Sequence, residues 1–263
     1  MTQDIQKNQI NDSQIVLSID AMGGDLGPAA VVAGIVRVAQ KNKKIHFLLH
    51  GQEKQLRKLV AKRQSLKGRV TIIDSLEVIK MEDKPSHVVR HGKATSMWSA
   101  IGSVRDGDAS VCVSCGNTGA LMAISMVRLR KLNGVNRPAI AILWPSSNPM
   151  GFNVMLDVGA DVRADPKDLL QYALMGVSYA RNGLGIAKPR VGLLNVGTEE
   201  HKGRSELKEA YSKIEHCQLE ANFVFEGFVE GGDIPGSKVD VIVTDGFTGN
   251  VALKTAEGTA SLI

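Results

Sequence analysis

Five residues, Cys115-Gly116-Asn117-Thr118-Gly119, carry the first chemical signal in this chain. They join two different patterns. Ala109 to Ser114 is a short apolar run bounded by Asp106-Gly107-Asp108, which reads as a buried strand. From Gly119 onward Ala-Leu-Met-Ala-Ile-Ser-Met-Val-Arg-Leu has a helical, apolar pattern. Asn117 or Thr118 can cap the helix start, and Gly116 and Gly119 let backbone approach a bound group. The first N–H groups of a helix have no intrahelical acceptor, and the helix dipole favours an anion beside them. The spacing therefore suits an anion cradle. A tight, capped strand-to-helix turn without a ligand would show the same spacing.

Four more strand ends repeat the theme. Asp20 precedes Ala-Met-Gly-Gly-Asp25, Asp157 precedes Val-Gly-Ala-Asp, Asn195 precedes Val-Gly197-Thr-Glu-Glu, and Asp245 precedes Gly246-Phe-Thr-Gly249-Asn250. In open α/β sheets ligands bind beyond the carboxyl ends of the strands. Five glycine loops at one sheet edge would line one cleft, although each Asp or Asn could also simply cap the next helix. Known nucleotide and hydrolase signatures are missing: there is no G-x-x-x-x-G-K-[ST], no G-x-G-x-x-G after a strand and no G-x-S-x-G. His87 and His91 lack the glutamate of H-E-x-x-H and read as surface histidines on a short helix. Cys112 and Cys115 form C-x-x-C, but residues three apart on a strand face opposite ways, and Cys217 is the only other thiol. Neither a zinc site nor a redox pair is expected. The chemistry must work without an obvious protein nucleophile.

The elements that position these loops follow from the rest of the pattern. Strands are expected near 15–20, 45–49, 70–74, 109–114, 191–195 and 239–244, with apolar runs at 139–143 and 154–156 joined as a hairpin. Helices are expected from Pro28 to about Gln40, Glu53 to Arg63, Ser96 to Arg105, Pro166 to about Arg181, Glu206 to His216 and from about Gly249, while 78–93 is less regular. This alternation predicts βαβ units in one mainly parallel sheet, an α/β fold of Rossmann-like three-layer α/β/α type. Residues 1–14 are polar and patternless and read as a mobile tail, and 15–263 as a single α/β domain.

Composition narrows the partners. The chain has 263 residues, 43% of them apolar and 22% charged, which fits a globular protein with a substantial core. The net charge of +5 is mild and dispersed, so it does not argue for nucleic acid but suits an acidic ligand or partner. No run has the length of a transmembrane helix and no secretory signal is present. Lys54, Arg57, Lys58, Lys62 and Arg63 form one basic face at helical spacing, which is either a docking face or a solvated one.

Asp-Ala-Met-Gly-Gly-Asp at 20–25, Gly-Asn-Thr-Gly-Ala-Leu-Met at 116–122, Val-Gly-Leu-Leu-Asn-Val-Gly at 191–197 and Asp-Gly-Phe-Thr-Gly-Asn-Val-Ala-Leu-Lys-Thr at 245–255 closely resemble the PlsX phosphate acyltransferases. Asp-Lys-Pro at 83–85, Arg-Pro-Ala at 137–139 and Leu-Asp-Val-Gly-Ala at 156–160 also fit, and the likeness runs from about Ile15 to Ile263. The resemblance implies transfer of a fatty acyl group from acyl carrier protein to inorganic phosphate, giving acyl phosphate for phospholipid synthesis. It implies a fold related to the isocitrate and isopropylmalate dehydrogenases, a homodimer, and a cytoplasmic protein loosely attached to the membrane, with no metal or nicotinamide cofactor. Trp98 stands where many members have arginine, Thr198 where an acidic residue is common, and Cys115 where alanine is common. Members usually continue past Ile263, so helices beyond this point are expected to be missing. A dehydrogenase of the related fold and a non-catalytic scaffold of lipid synthesis are the competing readings.

Phosphate is itself a competent nucleophile, so the protein must supply position and charge stabilisation. The expected site places phosphate on N–H groups of Gly116, Asn117, Thr118 and Gly119 and of Gly23 and Gly24, with Gly197, Gly246 and Gly249 in the neighbouring loops. Lys202 or Lys254 would offset its charge, and a backbone N–H or the amide of Asn195 or Asn250 would steady the thioester oxyanion. Asp20, Asp25 and Asp245 read as loop organisers, each better placed with a lysine or arginine beside it, because a bare carboxylate repels phosphate.

Overall fold

The structure is a computed structural model in which residues 15–199 and 202–263 are described. The tail expected at 1–14 lies outside the described residues. The chain divides into two compact units that meet in sequence at Arg130 and Lys131.

The first unit holds β1 (Ile15–Asp20), α1 (Gly27–Lys41), β2 (Ile45–Gly51), α2 (Glu53–Ala61), β3 (Val70–Asp74), α3 (Pro85–His91), α4 (Ser96–Arg105), β4 (Val111–Ser114) and α5 (Thr118–Arg128). Its four strands are parallel, in the order β3-β2-β1-β4. Alternation divides the sheet cleanly. Ile19, Ile45, Phe47 and Leu49 pack with Val32, Ile35, Ala39 and Leu56 of α1 and α2. Ser18 and His50 turn to the other face, where α4 lies: Ser18 Oγ donates to the Ala100 carbonyl at 2.7 Å. β4 is an edge strand, and its Val111 and Val113 are exposed.

The second unit holds β5 (Ala141–Pro145), β6 (Phe152–Leu156), α6 (Pro166–Leu184), β7 (Arg190–Leu194), α7 (Ser205–Cys217), β8 (Val224–Val229), β9 (Val241–Val243) and α8 (Gly246–Leu262). The strand order is β5-β6-β9-β7-β8, and only the β5–β6 hairpin is antiparallel. Val154, Leu156, Val191, Leu193, Val241 and Val243 pack against α6 and α7 through Leu169, Tyr172, Ala173, Val177 and Ile214. Met155, Leu194 and Ile242 face the opposite way, with Ala252 and Leu253 of α8 packed on them.

The α/β class and the parallel pairing are as expected, but the single sheet is replaced by two. Strand–helix alternation fixes local βαβ geometry and says nothing about which sheet a new strand joins. The hairpin at 141–156 starts the second sheet. β8 was not expected, because Gly227 (φ +77) interrupts its alternation and the register against β7 shifts between Val191 and Leu193. Within 78–93, α3 is a regular turn of helix that carries His87 and His91 exposed, their rings 4.7 Å apart. Among the described residues no helix is long and apolar enough to cross a membrane.

Candidate active site

In the first unit Asp20 is the hub. It ends β1, is 2% exposed, and is held by groups distant in sequence. Its Oδ1 accepts from Ser96 Oγ at 2.6 Å and Met22 N–H at 3.3 Å, and its Oδ2 accepts from Ser114 Oγ at 2.7 Å. Asp20 is thus a loop organiser, though hydroxyls rather than a cation surround it. The glycines follow from this crowding. A Cβ on Gly23 would lie 2.6 Å from Asp20 Oδ2 and 2.8 Å from Gly116 N, and Gly24 turns over Cys115 with φ +94. Gly23, Gly24 and Gly116 are therefore where the two loops touch. Asp25 is exposed at the rim.

Asn117 caps α5. Its Oδ1 accepts Ala120 N–H at 2.9 Å, and its Nδ2 donates to the carbonyls of Met81 at 2.8 Å and Asp83 at 3.0 Å. Gly116 N–H donates to Ser114 Oγ at 3.0 Å, so it is already satisfied. Among the described residues the N–H groups of Asn117, Thr118 and Gly119 have no acceptor, nor do those of Gly23 and Gly24, and the first turn of α5 carries no acidic side chain. Of the six N–H groups expected to hold phosphate, that of Gly116 is therefore already used, while Thr118 and Gly119 supply the two within α5, at the positive end of an eleven-residue helix. Gly119 has a second role: a Cβ there would sit 2.9 Å from Pro85 Cγ, so its lack of a side chain lets α3 and α5 meet.

An apolar groove of about 500 Å³ opens from the same corner, lined by Leu17, Ala30, Val31, Gly34, Val38 and Val113, with Asp20 and Ser114 at its polar end. Trp98 is buried beneath Arg128, whose Cζ is 5.2 Å from the ring centre. Cys112 is half buried, and burial pushes its thiol up to about 12, while Cys115 is exposed in the loop. They do not form a pair. Among the described residues no group of three or more His, Cys, Asp or Glu is arranged to hold a metal.

In the second unit Asp157, Asn195 and Asp245 occupy the strand ends. Asp157 is buried with φ +42, and its carboxylate accepts N–H groups of Ala160 and Asp161, both at 2.8 Å. Burial pushes its pKa up while these bonds oppose the rise. Gly249 packs on the Asp157 carbonyl, and Asn250 Nδ2 donates to the Val158 carbonyl at 3.1 Å. Asp245 caps α8, accepting Thr248 N–H at 2.8 Å, and also pairs with Arg204, the basic partner expected for it. Gly246 N–H donates to the Asp161 carbonyl at 2.8 Å. Asn195 Nδ2 donates to the Gly197 carbonyl at 3.1 Å and the Lys202 carbonyl at 3.3 Å. Lys202 pairs with Glu199 at 2.8 Å, and Lys254 with Glu257 at 2.7 Å. Of the two asparagine amides proposed for an oxyanion, Asn195 thus has both its N–H donors on loop carbonyls, and Asn250 has one. The five glycine loops fall two in one sheet and three in the other.

Ser96 and Pro85 are 76 and 34 residues from the groups they meet, Asp20 and Gly119; the sequence marked one as a helix start and the other within Asp-Lys-Pro, but no local pattern shows these contacts.

The fold these two sheets define is that of phosphotransacylases. A phosphotransacetylase from Streptococcus pyogenes superposes with a TM-score of 0.67 at 17% identity, covering 96% of this chain and 84% of that one. The EutD phosphotransacetylase from Staphylococcus aureus gives 0.64 at 14% identity, covering 94% and 83%. The chain belongs to the PlsX family of phosphate acyltransferases: the family model described as "Fatty acid synthesis protein" matches residues 15–263. A curated phosphate acyltransferase from Ruegeria sp. (strain TM1040) is 68% identical over all 263 residues, which span 70% of that relative. Those of Roseobacter denitrificans and Dinoroseobacter shibae are 65% and 70% identical over 263 and 248 residues, spanning 74% and 64% of their lengths. Acyl transfer is accordingly this chain's chemistry.

Proposed function

We propose that this chain transfers a fatty acyl group from an acyl carrier protein thioester to inorganic phosphate, with phosphate seated on the N–H groups of Thr118 and Gly119. The observation that carries the reading is this pair of unsatisfied donors, fixed by Asn117 and by the Asp20 hub at a helix start free of carboxylates. A phosphate oxygen attacks the thioester carbonyl, the C–S bond breaks, and the carrier thiolate leaves with the electron pair, giving acyl phosphate. Backbone N–H groups steady the oxyanion. Lys202 and Lys254 lie in the second unit, where each sits in an exposed ion pair with a glutamate. The groove beside Asp20 supports a long hydrocarbon on the donor.

The exposed Lys54, Arg57, Lys58, Lys62 and Arg63 are the face proposed for the acidic carrier, with Arg57 also paired to Glu53. Reversing two of these charges raises KM for the carrier thioester and leaves a coenzyme A thioester unaffected if this face docks. The family resemblance supports a homodimer attached peripherally to the cytoplasmic membrane, testable by sedimentation and vesicle flotation. The deciding assay is phosphate-dependent thiol release from an acyl carrier thioester, with acyl phosphate trapped by hydroxylamine. Thiol release independent of phosphate refutes the reading. NADH formation would instead favour a dehydrogenase, a fold relation seen in a 4-hydroxythreonine-4-phosphate dehydrogenase from Burkholderia phymatum (TM-score 0.54).

A further inference from the structure

Two arginines of the second unit are anchored in an unusual way. Arg137 Nη1 donates to Asp161 Oδ1 at 2.9 Å, and Arg204 Nη2 donates to Asp245 Oδ2. Each guanidinium is more than half exposed, 58% and 57%, whereas the two carboxylates are 8% and 3% exposed. Both anchors belong to one knot, because Gly246, the residue after Asp245, donates its N–H to the Asp161 carbonyl. The knot is held by Asp157, which is strained at φ +42 and grips the N–H of Asp161.

Compensating a buried carboxylate uses one side of each guanidinium and leaves the rest exposed. Asp245 is already satisfied by Thr248 N–H and Thr248 Oγ1, and Asp161 Oδ1 also receives Arg163 N–H. An exposed arginine adds little to a fold, but five donors on a fixed plane make a strong oxyanion ligand. Because each carboxylate is buried behind its guanidinium, the charge presented to solvent is positive. Asp161 Oδ2 is buried with no partner among the described residues, so the knot also offers an acceptor to a ligand N–H or O–H.

We propose that Arg137 and Arg204, each held by a buried carboxylate of this knot, are oxyanion ligands in the second unit that bind a phosphate group. The group is either inorganic phosphate or the phosphodiester of the donor's pantetheine arm. These ligands deepen the acyl-transfer reading only in the second case; as binding groups they stand without it.

The test is equilibrium binding, which needs no turnover. Calorimetric titrations use inorganic phosphate and, separately, pantetheine 4′-phosphate and unphosphorylated pantetheine. Arg137→Gln alone leaves the Asp161 carboxylate buried and unpaired, which can destabilise the fold, so Arg137→Gln with Asp161→Asn is the informative variant. It removes both charges and should melt near the wild type. An oxyanion ligand at Arg137 predicts that the double variant still loses roughly tenfold or more in affinity, as expected for one charge-assisted contact. Loss for both phosphates identifies a general phosphate site, and loss for pantetheine 4′-phosphate alone assigns it to the donor arm. Arg204→Gln with Asp245→Asn should repeat the same pattern. Wild-type affinities for both phosphate probes in a folded double variant, or equal affinity for pantetheine with and without its phosphate together with an unchanged inorganic phosphate affinity, overturn the proposal. Failure of the thiol-release assay with these losses intact would sink the acyl-transfer reading and leave phosphate binding by the two arginines standing.

Discussion

Thr118→Pro deletes one donor of the phosphate cradle and little else. Thr118 is the first residue of α5, where proline is tolerated because its missing N–H has no helical acceptor. The preceding Asn117 has φ −57 and ψ 110, an extended conformation that a following proline accepts. The Thr118 side chain is exposed, so no core contact is lost. The fold should therefore change by no more than about 0.5 kcal/mol, the range of ordinary surface substitutions. A hydrogen bond to a charged group is worth about 1.5–3 kcal/mol, so phosphate-dependent thiol release should fall by about ten- to a hundredfold in kcat/KM for phosphate. The assay is thiol release across a phosphate titration at saturating acyl thioester, paired with a melting curve. A variant that melts like the wild type and keeps its phosphate dependence would refute the cradle.

Gly119→Val tests the same turn differently: its Cβ meets Pro85 Cγ at 2.9 Å, so overpacking should cost about 1–3 kcal/mol in urea denaturation whether or not phosphate binds. An unchanged midpoint would show that α3 and α5 have room to spare. His50 is fully buried between Ser18 Oγ at 3.0 Å and Ser99 Oγ at 2.8 Å, and burial lowers its pKa from 6.5 to about 4. The unfolded chain binds this proton first, so the contribution is complete above pH 6.5 and is lost as pH falls toward 4, on the order of 3 kcal/mol in all. His50→Gln should remove that part of the slope in urea titrations between pH 7.5 and 4.5; identical slopes would contradict it. Gly34→Phe places a ring in the groove from a position with no atom within 4 Å of its Cβ. It should lower kcat/KM for a palmitoyl donor by about tenfold relative to a butyryl donor, about 1.4 kcal/mol, and an equal effect on both would exclude the groove as the acyl site.

The glycine loops and the capped start of α5 were legible because their causes are local: an Asx residue three positions from the N–H it accepts, and glycine where backbone crowds backbone. What the sequence could not show depends on separation. That Ser96 and Ser114 rather than a cation hold Asp20 is set by where α4 and β4 pack on β1. That Gly116 spends its N–H on Ser114, and that the amides of Asn195 and Asn250 bond loop carbonyls, follows from loop paths that residue type does not encode. The division into two sheets was hidden because strand patterns report burial, not partners. Arg137 lay in a motif the sequence displayed, but its fixed guanidinium required the buried Asp161 twenty-four positions on.

The most direct measurement of the cradle is an amide proton–nitrogen correlation spectrum recorded through a titration with inorganic phosphate. The Thr118 and Gly119 resonances should move downfield and saturate together, with Asn117 beside them, because the N–H groups of these three lack acceptors at the start of α5. Gly116, bonded to Ser114 Oγ, and Ala120, bonded to Asn117 Oδ1, should move little. Saturable shifts elsewhere with Thr118 and Gly119 unmoved would contradict the account.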